Sequence, residues 1–176
     1  MQRTSFLVID MINKGQIYNN LVQINNSYNK SKRRRQALYF SKLAILELCG
    51  WIEESMDSIV EAFTKRLNQP ANITFVKEQV IEPTYGFEYH KHFRAMLIQV
   101  IGVINVERLE ANLNQTKFDL MKSTLGSLKK SRNDLAHTHV KDITVRIDAP
   151  STTKNRFEKV YDGLKDIESC IRKMQL

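Results

Sequence analysis

A chain of 176 residues suits one domain with a real core, and six Gly and three Pro leave too few turn formers for a turn-rich all-β fold. The net charge of +8 favours polyanionic partners, nucleic acid first, without bearing on the fold. No apolar run approaches the ~18 residues of a membrane span, and the N-terminal MQRTSFLVIDMINKG has an Asp in its apolar run and no small-residue cleavage site.

The chain reads as helix after helix. Over 4–28, Phe6, Ile9, Ile17, Leu21, Ile24 and Tyr28 recur at mostly helical spacing, weakened by Gly15 and the Asn-rich NNSYNKS. From 31 to 67, the steps between Ile45, Leu48, Cys49, Ile52, Met56, Ile59, Val60, Phe63 and Leu67 predict a long helix with one broad buried face and Trp51 at its edge. Asn68-Gln69-Pro70 ends it. Residues 72–81 fit helix or strand, and Pro83 and Gly86 mark a loop. Residues 87–112 are apolar on most sides and are expected to form the central, most buried helix.

Residues 115–137 predict another amphipathic helix, followed by an irregular loop over 138–151 in which Ile143, Val145 and Ile147 alternate like a short extended segment. Pro150 with Ser151 or Thr152 starts a last helix, buried through Phe157, Val160, Tyr161, Leu164, Ile167, Ile171 and Met174. The expectation is a single all-α domain over 1–176, a bundle of about five or six helices. Cys49 and Cys170 lie in partly apolar helical runs and outside any ligand pattern. They read as reduced, buried thiols of a cytosolic protein.

The helix at 115–137 carries the informative stretch. Phe118, Met121, Leu125, Leu128, Arg132 and Leu135 follow one another by 3, 4, 3, 4 and 3, a seam of the kind that packs against another helix. Arg132 occupies a seam position, where desolvating a guanidinium is costly without a partner. Arg132 and His137 diverge by about 140° on a continued helix, so one copy presents them poorly to a single ligand. Two copies related by a two-fold axis along the seam would gather two Arg, two Asn and two His around one wet cleft.

Arg132-Asn133-Asp134-Leu135-Ala136-His137 resembles the R-N-x-x-x-H signature of HEPN domains. These are all-α proteins of prokaryotic toxin, antiviral defence and RNA-processing systems, many of them metal-independent endoribonucleases whose active site joins two motifs across a homodimer. The size, the long early helices, the basic balance and the last helix after the motif are similar too. The resemblance implies a small stand-alone toxin- or defence-like member. It would act on RNA without a metal or cofactor, in the cytoplasm, with an antitoxin or regulatory protein among its candidate partners.

Under this resemblance Arg132 stabilises the charge on the scissile phosphate, His137 moves the proton, and Asn133 orients the histidine or the phosphate. His139, seven residues after Arg132, fits the family's looser spacing as a second choice, and Asp134 is a supporting candidate that better suits a solvated role or a pair with Lys130. Some relatives carry a Tyr just before the histidine, which a partner modifies. This chain has Ala136 there, so that control is not expected. The alternative is a non-catalytic helical dimer that binds RNA, a nucleotide or a partner protein. The run KSKRRR at 30–35, with Lys32, Arg33, Arg34 and Arg35, is the candidate RNA-backbone contact, against a solvated helix start. His90 and His92, two residues apart, point to different helix faces and do not suggest a metal site.

Overall fold

The computed structural model describes residues 10–136 and 146–174, and among them the chain is all-α with no strand. Helix α1 spans Gly15–Lys30 and buries Ile17, Leu21 and Ile24. Phe6 and Ile9, expected in this helix, lie outside the described residues, and the helix begins only at Gly15. Helix α2 spans Arg34–Glu61 and runs on into a tight 3₁₀ turn over Ala62–Arg66. Its expected apolar positions from Ile45 to Val60 are buried, Phe63 is buried in the 3₁₀ turn, and Leu67 lies half-buried just beyond it. Trp51 borders that face, donating its indole N–H to the Asn13 carbonyl at 2.9 Å and meeting Phe157 edge-on at 5.0 Å.

Pro70 does not merely end this segment. It sits in the first turn of α3, Pro70–Phe75, where its missing N–H removes no helical bond. The segment left open between helix and strand is helical, with α3 widening into a π turn over Val76–Ile81. A second π turn, Tyr89–Phe93, leads into α4, Arg94–Ile101, and then α5, Val103–Asn112.

This part corrects the sequence expectation. Gly102, at φ +80°, takes a conformation that side-chain-bearing residues rarely adopt, and the chain breaks there. Val103 and Ile104, just after the break, are among the most exposed apolar residues, at 54% and 63%. The most buried helices are α2 and α7 instead. With the 72–81 segment helical and 87–112 divided, the described residues hold seven α-helices rather than five or six.

Helix α6 spans Gln115–Ala136 and α7 spans Pro150–Lys173. Asn114 caps α6, its side-chain oxygen accepting from the Lys117 N–H at 3.1 Å while its own N–H donates to Asp166 at 2.7 Å. Helices α6 and α7 pack closely where Gly163 faces Met121. A β-carbon at Gly163 would fall 2.6 Å from the Met121 Cβ. The core runs through all these helices, with Leu21, Leu48, Ile52, Met121, Phe157 and Leu164 all but inaccessible to solvent. Cys49 and Cys170 are buried and unpaired with each other, as expected. Of the alternating Ile143, Val145 and Ile147, expected to run extended, only Ile147 is among the described residues, and it lies in no strand.

Candidate active site and nucleic-acid interface

Helix α6 buries Phe118, Met121, Thr124, Leu125, Leu128 and Leu135, so its seam is real. It is spent inside one chain, against α7 and α2, and is not free to pair with a second copy along its length. This corrects the two-fold axis along the seam. A dimer that joined two Arg132 side chains would use the end of α6 instead.

Arg132 continues the seam in register, four residues after Leu128, yet its side chain is 41% exposed. The last turn of α6 reaches the rim of the bundle, where α2 offers Glu53 rather than a dry wall. Arg132 Nη2 stands 3.8 Å from Glu53 Oε1. That is within Coulombic reach and beyond a hydrogen bond. Glu53 Oε1 is itself shut from solvent without a hydrogen-bond donor.

The charges of this rim are felt one turn below. The Cys49 thiol is pushed up to about 12, first by burial and then by the negative charge of Glu53, against the opposing pull of Arg132 and Arg156. A thiol so held stays protonated and is a poor nucleophile. Arg156, on α7, binds Asp148 at 2.6 Å through Nη2.

A second set of groups abuts the same face of α6. Lys129, three residues before Arg132, pairs with Glu88 at 2.7 Å. The Glu88 N–H donates to His92 Nδ1 at 3.1 Å, which leaves Nε2 to carry the proton of the neutral ring. Burial lowers the His92 pKa, opposed by Glu88 and Glu53. Gly86, at φ +124°, lies so close beneath the ring that a β-carbon there would meet His92 Cε1 at 2.8 Å. Glu53 and His92 are the neighbours that sequence reasoning missed. Nothing in the order of residues shows which acid of α2 faces the end of α6, and His92 read only as a surface or half-buried histidine.

Asn133 and Asp134 are exposed, turned away from the seam. His137 and His139 lie outside the described residues. The structure therefore places Arg132, Asn133 and Asp134 of the motif and brings Arg132 together with Glu53. Among the described residues, no group of three or more His, Cys, Asp or Glu side chains is arranged to hold a metal ion. Nor is any helix long and apolar enough to cross a membrane.

The basic run lies elsewhere. Lys32 and Arg33 form the turn into α2, and Arg34 and Arg35 open the helix, all four exposed. No acidic residue sits in that first turn. Cations at a helix N-terminus oppose the macrodipole, so this placement does not serve helix stability. A shallow groove of about 550 Å³ runs between Lys30, Lys32, Arg33, Arg35 and Tyr39, with the Arg35 guanidinium 6.0 Å from the Tyr39 ring centre. Arg34 and Glu53 are nineteen residues apart on one helix, about 28 Å at the helical rise. The structure thus does not gather the basic run around Arg132. An extended strand would bridge the two places, and a single small ligand would not.

No family model, curated protein or solved structure matches the chain.

Proposed function

We propose that the chain is a metal-independent endoribonuclease of the HEPN type, working as a homodimer. One observation carries this reading. Arg132 stands on the apolar register of α6, yet is half-exposed at the rim, held near Glu53 without a hydrogen bond and thus available to an anion. A guanidinium so placed suits the scissile phosphate better than the core.

In the proposed reaction the ribose 2′-hydroxyl is the nucleophile. His137, with His139 as second choice, takes the hydroxyl proton, and a histidine of the other copy protonates the departing 5′-oxygen. The oxygen–phosphorus bond to the 2′ position forms as the bond to the 5′-oxygen breaks, leaving a 2′,3′-cyclic phosphate and a 5′-hydroxyl. Arg132 stabilises the charge on the phosphorane, and Asn133 orients the histidine or the phosphate. Asp134 has a supporting role at most. Lys32, Arg33, Arg34 and Arg35 hold the strand some distance from the cut. RNA is the substrate in this reading, the cytoplasm its setting, and an antitoxin or other regulator a candidate partner.

The second reading is a helical dimer that binds RNA, a nucleotide or a partner protein without cutting. Glu53 weighs against a phosphate at Arg132, because a carboxylate 3.8 Å away offsets part of the charge that a phosphate would seek, as in a third reading, an all-α scaffold with no nucleic-acid role. The test is cleavage of a mixed RNA pool in EDTA by the wild type and by Arg132→Ala, His137→Ala and His139→Ala. The ribonuclease reading expects cutting by the wild type, with Arg132→Ala and one histidine variant slowed by about 10²–10³-fold. A folded, dimeric wild type that binds the RNA without cutting it refutes the enzyme and leaves the binding module.

A further inference from the structure

A cleft of about 420 Å³ opens where α1, the start of α2 and the start of α7 meet. Its walls include Tyr28, Arg34, Ser41, Arg146, Asp148 and Ala149. Four observations give it one chemical character. Arg34 and Arg146 come from different parts of the chain, both are exposed, and neither has a carboxylate partner among the described residues. The single carboxylate in the wall, Asp148, is held by Arg156 at 2.6 Å. Ser41 is only 1% exposed, and its hydroxyl has no hydrogen-bond partner.

The fourth observation concerns α7. Its N-cap, Ala149, lines the cleft and has no side-chain oxygen to offer, so no side chain offsets the positive end of this 24-residue helix. A buried hydroxyl without a partner is a cost that native structures rarely carry unless a ligand or water meets it. Two guanidinium groups and a hydroxyl donor, beside the positive end of a helix, together suit a phosphate.

We infer that this cleft binds a phosphate group of a nucleotide unit through Arg34, Arg146 and Ser41, with the positive end of α7 beside it. Its volume admits a whole nucleotide, and Tyr28 offers a ring beside the phosphate for a base to stack on. The inference rests on the reading that this chain binds nucleic acid and is independent of cleavage. Arg34 stops being one of four equivalent cations in a basic run. It becomes part of a built site, while Lys32, Arg33 and Arg35 line the neighbouring groove.

The experiment is fluorescence anisotropy of the full chain with a labelled oligoribonucleotide, made with a 5′-phosphate and as its 5′-hydroxyl twin, across a salt series. Arg34→Gln and Arg146→Gln are each expected to weaken binding about tenfold and to flatten the slope of log affinity against log salt by about 0.7. Lys117→Gln removes the same charge from an exposed position outside the cleft and is expected to change binding by no more than about twofold. Ser41→Ala is expected to weaken binding about threefold while leaving the melting temperature unchanged or raised, because it removes an unpartnered buried hydroxyl.

Preference for the 5′-phosphorylated strand assigns the cleft to a terminal phosphate, and equal binding assigns it to an internal one. Inorganic phosphate competes in either case. The inference is overturned if Arg34→Gln and Arg146→Gln bind within twofold of wild type, or lose no more than Lys117→Gln does. If the wild type cuts RNA and both Arg variants bind and cut as it does, the cleft fails and the ribonuclease reading stands. If the Arg variants lose binding and nothing cuts, the cleft stands and the ribonuclease reading fails.

Discussion

Replacing Glu168 by Gln tests how the N-terminal segment is fastened to α7. The Glu168 side chain is 1% exposed and pairs with Lys165 at 2.8 Å and Arg172 at 2.6 Å. It also accepts the Met11 N–H at 3.1 Å. Breaking a fully buried ion pair costs about 3–5 kcal/mol. Here the cations are 27% and 30% exposed and can rehydrate, and glutamine keeps one acceptor oxygen. The expected loss is therefore about 2–3 kcal/mol, or a melting temperature lower by roughly 5–10 °C. Urea unfolding followed by circular dichroism at a series of pH values measures it.

The pH dependence has a definite sign. Burial alone would raise the Glu168 carboxyl, but Lys165, Arg172 and the Met11 N–H bring it below its usual 4.5. A depressed carboxyl contributes stability above the unfolded value and loses it as pH falls through the folded one. The gap between wild type and Glu168→Gln should be full above about pH 5 and should close as the pH falls below about 4. A loss under about 0.5 kcal/mol, unchanged with pH, would mean that the ion pairs only cancel the cost of burying the carboxylate.

Two further outcomes follow from packing and charge. Gly163→Ala should destabilise the protein by about 1–2 kcal/mol in urea unfolding, because overpacking against the Met121 Cβ outweighs the ~1 kcal/mol gain in helix propensity. Stabilisation instead would show that α6 and α7 can part there at no cost. Burial, reinforced by Glu53, Glu54 and Glu61, raises the Asp57 carboxyl to about 6. Its ionised form is thus disfavoured in the fold, and stability falls as pH rises from about 4 to about 6. Asp57→Asn should recover about 1 kcal/mol at pH 7.5, after discounting the shift for partial exposure, and nothing near pH 4. A pH-independent difference in the same unfolding assay would refute the assignment.

What the residue order discloses is uneven, for physical reasons. The faces of α2 and α7 are legible because each is long and buries one side, so Ile45, Leu48, Ile52, Phe157, Leu164 and Ile171 repeat with the helical period. The run at 87–112 misleads because hydropathy does not report backbone sign. Gly102 turns the chain at positive φ, and the apolar residues behind it emerge into solvent. The register of Arg132 is legible, but its exposure is not, since that depends on where the neighbouring helices end. The seam partner is also hidden. Gly163 is a lone glycine in sequence and a notch for Met121 in space. Glu53 and Ser41 are silent for the same reason, their meaning fixed only by the helices brought against them.

The arginines that open α2 have a thermodynamic consequence. Arg34 and Arg35 repel each other and the positive helix end beside them, so the protein at rest holds a small electrostatic tension in that turn. Any polyanion that neutralises them relieves it and binds the folded chain in preference to the unfolded one. By mass action such a ligand raises the melting temperature in proportion to the logarithm of its concentration, and added salt erodes the gain. Thermal stability thereby becomes a report on what occupies this end of the bundle.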